Sequence, residues 1–271
     1  MRSLTERYGA KSDTGLKRDH NEDRFCADPD LGLYVVCDGM GGHRAGEIAS
    51  ARAVEVISHY VSAAARNPAH PLVGVYRPEF SERTNRLASA VRLANQTIYQ
   101  EALSCQDYAG MGTTVVSVLL SENVLSIAHV GDSRLYLMRD GSLHPLTSDH
   151  SLVAEQIRCG VLDSREATCV AHKHVLTRAV GVAATVDVEL GEVPLLCDDL
   201  LLLCSDGLTS GVPPSNIVRS LEERVEPQIM SEELIALSNA AGGEDNTTVI
   251  VVMLRSSHPT IWQRIRGRLF P

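Results

Sequence analysis

The sequence predicts a layered α+β domain built on antiparallel sheets. Short β-branched or alternating runs at residues 115–120, 124–130 and 134–138 read as a meander. Asp140-Gly141 before Leu143 is a two-residue hairpin signal, and helical periodicity is confined to separate pairs of segments instead of alternating with strands. A chain of 271 residues with 44% hydrophobic content can bury a core within one domain. No internal repeat or low-complexity linker divides it.

In chain order, residues 33–37 form an apolar run ending in a glycine-rich turn, which predicts a buried strand carrying Asp38 at its C-terminal end. From 44 to about 65, Ile48, Ala51, Val54, Ile57 and Val61 recur every three or four residues, and Leu87, Val91, Ala94, Ile98 and Ala102 repeat the pattern, so two amphipathic helices are expected. Three prolines and one glycine between 67 and 80 make that connection a surface loop. After the meander, a polar stretch over 147–185 holds one helical pattern, at Leu152, Val153, Gln156 and Ile157, stopping at Gly160. Strands return at 186–193, 200–204 and 247–254. Between the last two, one helix opens at Pro213-Pro214 and another at Ser231-Glu232-Glu233, closing at Gly242-Gly243.

The chemistry lies in short glycine-flanked phrases: Asn21-Glu22-Asp23, Asp38-Gly39-Met40-Gly41-Gly42-His43, Gly131-Asp132-Ser133-Arg134, Ser205-Asp206-Gly207 and Glu244-Asp245-Asn246. Carboxylates beside unobstructed backbone carbonyls suit hard divalent ions, because Mg²⁺ and Mn²⁺ take oxygen ligands and glycine lets a main-chain oxygen approach. The chain therefore reads as a two-metal hydrolase. With Ser12-Asp13-Thr14-Gly15, Arg18, Gly112-Thr113-Thr114, residues 176–181 and Asp245-Asn246-Thr247-Thr248 added in the same order, the chain from about Tyr8 to Leu254 resembles the metal-dependent (type 2C) serine/threonine protein phosphatases in their compact bacterial form.

The resemblance implies a four-layer α-β-β-α sandwich, two antiparallel sheets flanked by helix pairs, with 147–185 as a flap beside the active site and 255–271 outside the catalytic domain. It implies hydrolysis of phosphoserine and phosphothreonine by a water bridging two Mn²⁺ or Mg²⁺ ions, with a third, weaker ion. Asp38 would bridge the ions, the Gly39 carbonyl would ligate one, and Asp206 and Asp245 would complete a shell; Asp132 would hold the third. Glu22 and Asp23 are adjacent and point to opposite sides on extended backbone, so one is expected to bind metal and the other to orient bound water, with Asp23 favoured for the inner role. Arg18 is expected to grip phosphate through its guanidinium fork, and His43 to protonate the leaving alkoxide. Phosphorylated proteins, substrates of a serine/threonine kinase, are the expected partners.

Other classes are disfavoured. A formal charge of −9 and no concentrated basic surface exclude a nucleic-acid footprint. No apolar run nears the roughly 18 residues of a membrane span, and the charged start, Met1 to Arg7, resembles no signal peptide, so a cytoplasmic protein is expected. Seven cysteines without a Cys-x-x-Cys pair suit reduced thiols, and His172-x-His174 lacks further zinc ligands at suitable spacing. No Gly-x-Ser-x-Gly elbow suggests a serine nucleophile. The tail over 255–271 carries four arginines and no acid; it is expected to be solvated or laid on the acidic body, the alternative being a basic helix touching an anionic membrane or a partner. The rival functions are a non-catalytic phosphoprotein-binding module of the same fold and another two-metal phosphoester hydrolase.

Overall fold

Among the described residues all strand pairings are antiparallel, and they sort into two sheets. One runs β1 (Leu4–Asp13), β11 (Thr247–Ser256), β10 (Leu200–Cys204), β7 (Arg134–Arg139), β8 (Ser142–Pro145). The other runs β2 (Asp23–Asp28), β3 (Leu33–Met40), β5 (Val115–Ser121), β6 (Val124–Val130), β9 (Glu189–Pro194), with β4 (Gly112–Thr113) also paired to β3. This computed structural model describes residues 4–41, 45–162 and 175–256. His43, His172, His174 and residues 257–271 lie outside them.

Successive side chains on a strand point to opposite faces, and here both faces are covered. Tyr34, Val36, Val116, Val118, Leu201, Leu203, Ile250 and Val252 fill the core between the sheets. On the other face of β3, Leu33, Val35 and Cys37 lie beneath α1 (Ala45–Arg66) and α2 (Glu82–Ser104), which bury Ala49, Ala53, Ile57, Leu87, Val91 and Ile98. On the other sheet, Leu200, Leu202, Val249 and Val251 face α4 (Asp206–Gly211), α5 (Pro214–Glu222) and α6 (Pro227–Ala240). The order is helix, sheet, sheet, helix. Burial on both faces is why these strands read as unbroken apolar runs.

The hairpin at Asp140-Gly141 forms as expected, with φ values of 51° and 74° at the two turn residues, the double left-handed conformation of a tight hairpin. The short helix α3 (Leu152–Arg158) is capped by the Ser151 hydroxyl, which accepts from the Ala154 amide. Four elements depart from the periodicity reading. β1 pairs along β11 from Leu4 to Asp13 although its residues are mostly polar, because an edge strand with one buried position carries no apolar alternation. β2 is similarly polar. α6 begins at Pro227, one turn before Ser231: proline takes the first helical position, and the Ser231 hydroxyl bonds the carbonyls of Pro227 and Gly9 instead of capping. Asp206 opens the one-and-a-half-turn helix α4, which is too short to show a helical period in the sequence.

α6 packs against β1 with no room to spare. A Cβ on Gly9 would lie 2.1 Å from the Gln228 backbone nitrogen. Gly9→Ala should therefore force backbone apart and destabilise the fold by about 1–3 kcal/mol or more, read by urea unfolding; unchanged stability would show that the contact yields freely.

Candidate active site

The acidic phrases converge at one end of the sandwich, around a cavity of about 660 Å³ whose lining includes Arg18, Glu22, Asp38, Asp132, Asp206 and Asp245. Asp38 leaves β3 beside Gly39. Glu22 directly precedes β2 and Asp23 opens it, Asp132 occupies the β6–β7 turn, Asp206 starts α4 directly after β10, and Asp245 precedes β11. Gly39 lines the same cavity, and its packing demands glycine, since a Cβ would stand 2.1 Å from the Gly46 carbonyl oxygen at the start of α1.

The uncharged residues of each phrase hold these carboxylates in place. The Asp38 amide donates to Thr114 Oγ1 (3.0 Å), and its carbonyl accepts from the Thr114 amide (2.8 Å) and Thr113 Oγ1 (2.9 Å). Thr114 Oγ1 in turn lies 2.7 Å from Ser133 Oγ, joining the Asp132 turn to the same clamp. Ser205 Oγ donates to Asp23 Oδ2 (2.7 Å) and accepts from the Thr248 amide (2.9 Å). Asn246 Oδ1 accepts from the Glu22 amide, while its Nδ2 donates to the carbonyls of Thr14 and His20, binding the loop that carries Arg18. In the sequence the signal for Ser133, Ser205 and Asn246 is a hydroxyl or amide beside an acid, whereas nothing local marks Thr114 as the partner of Asp38; which atom each one reaches is set only by the fold.

Asp23 and Asp38 are cross-strand partners in the β2–β3 register, with Asp23 beneath the cavity and almost fully buried, and Glu22, not Asp23, on the lining. Directly opposed residues have Cβ atoms only about 4.5–5.5 Å apart. Burial, followed by the neighbouring carboxylates of Asp206 and Asp245, pushes the Asp23 pKa up to about 7 against the hydrogen bonds from Ser205 and Thr248. Asp38 is raised well above the usual carboxylate range, by burial first and then by Asp23, Asp206, Asp132 and Asp245. Asp132 is raised to about 7 by burial, then by Asp206 and Asp149. Asp23 Oδ1 is buried without a hydrogen-bond partner. Crowded carboxylates whose ionised forms are disfavoured, together with an orphaned buried carboxylate oxygen, fit the oxygen cage of a hard divalent cation.

Arg18 stands at the cavity with its Nη2 on Asp245 Oδ2 at 2.7 Å, and that bond is the main cause of its raised pKa. The chain also contains one Cys-x5-Arg spacing, Cys159 to Arg165. Cys159 is exposed at the carboxyl end of α3, the wrong end of a helix for holding phosphate, and Arg165 lies outside the described residues.

A four-layer sandwich with an acidic, cation-fitting cavity at the end of its sheets defines a metal-dependent phosphoester hydrolase. The chain belongs to the protein phosphatase 2C family, whose description residues 16–238 match. It is 38% identical to the serine/threonine phosphatase stp of Listeria welshimeri over 246 residues, 89% of this chain and 93% of that protein. It is 35% identical to the protein phosphatase PhpP of Streptococcus pneumoniae, across 90% and 95% of the two chains. The structure superposes on the Mycobacterium tuberculosis serine/threonine phosphatase PstP/Ppp with a TM-score of 0.81 at 34% identity, covering 92% of this chain and 99% of that one. It also superposes on the PstP catalytic domain in complex with two manganese ions, with a TM-score of 0.80 at 34% identity, covering 94% and 100%. The protein is a metal-dependent serine/threonine phosphatase of the 2C type, using manganese or magnesium. Among the described residues no helix is long and apolar enough to cross a membrane.

The raised carboxylates couple stability to pH. Asp23 and Asp132 bind protons more tightly folded, near pH 7, than in the unfolded chain, where aspartate titrates at about 3.9, so their stabilising contribution is complete below about pH 4 and fades as pH rises through about 7. In chelator, this contribution to the melting temperature should fall from about pH 5 to about pH 7.5. A hundredfold excess of Mn²⁺ over its Kd should add about 2.7 kcal/mol at the higher pH. Identical melting with and without Mn²⁺ there would contradict a cation-binding cage.

Proposed function

We propose that Asp38, the Gly39 carbonyl, Asp206, Asp245 and the Glu22–Asp23 pair hold the two catalytic ions, that Asp132 holds a third and weaker one, and that the cavity accepts phosphoserine and phosphothreonine side chains of proteins phosphorylated by a serine/threonine kinase. The opposition of Asp23 and Asp38 across β2 and β3, with Asp206 and Asp245 close enough to disfavour ionisation of both, carries this reading. When bound, such ions lower the pKa of water from about 15.7 to near 7 and offset charge on the phosphoryl oxygens.

The chain's own groups supply the rest. Arg18 uses one nitrogen on Asp245, leaving the other N–H donors of its fork for phosphoryl oxygens at the cavity mouth. Glu22 faces the cavity and Asp23 backs it, so Glu22 reaches the reacting water or an ion directly while Asp23, fixed by Ser205, sets the charge beneath Asp38. His43, five residues after Asp38, is the proton donor to the departing alkoxide.

Chelation should abolish phosphothreonine-peptide hydrolysis, and Asp38→Asn should lower kcat by several orders of magnitude in saturating Mn²⁺ while the fold persists by circular dichroism. Full turnover in chelator would sink the mechanism, and phosphopeptide binding without turnover in the wild type would favour a binding module.

His43→Gln separates acid catalysis from site assembly. A serine or threonine alkoxide needs a proton as its bond to phosphorus breaks, whereas p-nitrophenolate does not. Phosphopeptide turnover should drop by about 10²–10⁴ and p-nitrophenyl phosphate turnover far less. Equal losses on both substrates would assign His43 to holding the loop.

A further inference from the structure

Outside the cavity, one group of potential metal ligands comes together among the described residues, at the edge of the inter-sheet core. His129 on β6 and Glu189 on β9 are register partners, and His150 comes up against both; their ligand atoms lie within 4.8 Å of one another. Two imidazoles and a carboxylate invite a transition metal, but the hydrogen bonds exclude His150 as a ligand. Its Nδ1 accepts from the Gly131 amide at 3.1 Å, so the ring proton sits on Nε2 and points at Glu189 Oε2, 3.0 Å away. A metal on Nε2 would leave the ring with no proton at all, whereas ligating histidines carry one on the other nitrogen.

That same pattern has a different use. His150 grips the Gly131 peptide unit from two sides: Nδ1 accepts the Gly131 amide, and the His150 amide donates to the Gly131 carbonyl at 2.8 Å. Gly131 has φ of 109° and lies against Thr114, where a Cβ would stand 2.7 Å away, so this turn needs external support to hold its shape. The His150 carbonyl accepts from the Thr177 amide at 2.8 Å, and Ser151 bridges to Leu176, so the same residue ties the turn to the segment returning toward β9. Glu189 is held ionised, below its usual range, chiefly by the His150 hydrogen bond, and His129, its ring centroid 4.8 Å from that of His150, stays neutral with its pKa pushed down to about 4 mainly by burial.

We propose that His150, oriented by Glu189, is a positioning residue that fixes the Gly131-Asp132 turn and thereby the weak cation site at Asp132; it rests on the reading of Asp132 given above. Glu189 holds the imidazole in one tautomer, the tautomer presents a lone pair to the Gly131 amide, and the amide sets the direction from which Asp132 enters the cavity.

The test uses amide geometry to split the imidazole in two. Asn at position 150 keeps an acceptor where Nδ1 lies and loses the Nε2 donor, and Gln keeps a donor near Nε2 and loses the acceptor. The full chain would be titrated with Mn²⁺ by calorimetry, and hydrogen exchange of the Gly131 amide followed by NMR. His150→Gln should weaken the weakest Mn²⁺ site by about 10–100-fold with the tight sites within about twofold, and speed Gly131 exchange by at least about tenfold; His150→Asn should restore most of both. Glu189→Ala, at a half-exposed strand position, should act in the same direction and serves if His150→Gln does not fold. Unchanged Gly131 exchange in His150→Gln, or in Glu189→Ala, would overturn the proposal, as would loss of all Mn²⁺ sites together. Asp132→Ala is the separate control: if it removes the weak site while His150→Gln and Glu189→Ala spare it, the role of Asp132 stands and that of His150 falls; if it removes nothing, the underlying reading of Asp132 fails and the proposal with it.

Discussion

The structure depends on one unfavourable contact, the opposition of Asp23 and Asp38 across the β2–β3 ladder. Were both carboxylates ionised, two like unit charges about 5 Å apart at an effective dielectric near 20 would repel by about 3 kcal/mol, a sizeable share of the 5–15 kcal/mol by which a domain of this kind is stable. Nothing in the local sequence of either strand compensates for it. It persists because burial of both faces of β3, one under helices and the other against the second sheet, fixes the register: a slip of one residue would exchange the two sets of side chains, placing Tyr34 and Val36 under α1 and Leu33 and Val35 between the sheets. The hydrophobic layers thus force the carboxylates together, and a cation relieves what they force.

Around that pair the hydroxyl and amide residues work as struts. Thr114, Ser133, Ser205, Thr248 and Asn246 each spend hydrogen bonds on the backbone or side chain of a residue beside the cavity, so the acids approach one another without being free to swing apart. The arrangement separates two functions that adjacent residues share. Carboxylates supply charge, and hydroxyl and amide residues supply direction: Ser133, Ser205 and Asn246 stand next to Asp132, Asp206 and Asp245, while Asp38 is held by Thr113 and Thr114 from a distant segment. The His150 grip on Gly131 follows the same logic at longer range, with an imidazole in place of a hydroxyl.

The two sheets also divide the labour unevenly. β3, β5 and β6 are buried strands whose apolar sequence dictates their place, whereas β1 and β2 are polar and gain theirs by pairing. Yet β2 opens on Asp23, and the loop between β1 and β2 carries Arg18 and Glu22. Site residues therefore lie on segments with little folding signal of their own, held by Asn246 and by the Gly243 carbonyl, which accepts from the amides of Leu16 and Lys17.

What the sequence determined by itself was whatever repeats locally: the helical stripes of α1 and α2, the apolar runs of β3, β5 and β10, the Asp140-Gly141 turn, and the set of acidic phrases with the family they mark. These are legible because a helix or buried strand writes its period into adjacent residues, and a left-handed turn admits few residue types. Polar β1 and the early start of α6 at Pro227 were not legible, since partners more than two hundred residues away, on β11 and at Gly9, decide them, and α4 was not legible because it is too short to write a helical period. The same holds for the site. Sequence named Glu22 and Asp23 as a pair on opposite sides of one strand, but only packing of β2 against β3 and Ser205 decided that Glu22 faces the cavity and Asp23 lies beneath it, because the direction of a side chain into a three-dimensional cleft is a property of the neighbours that enclose it.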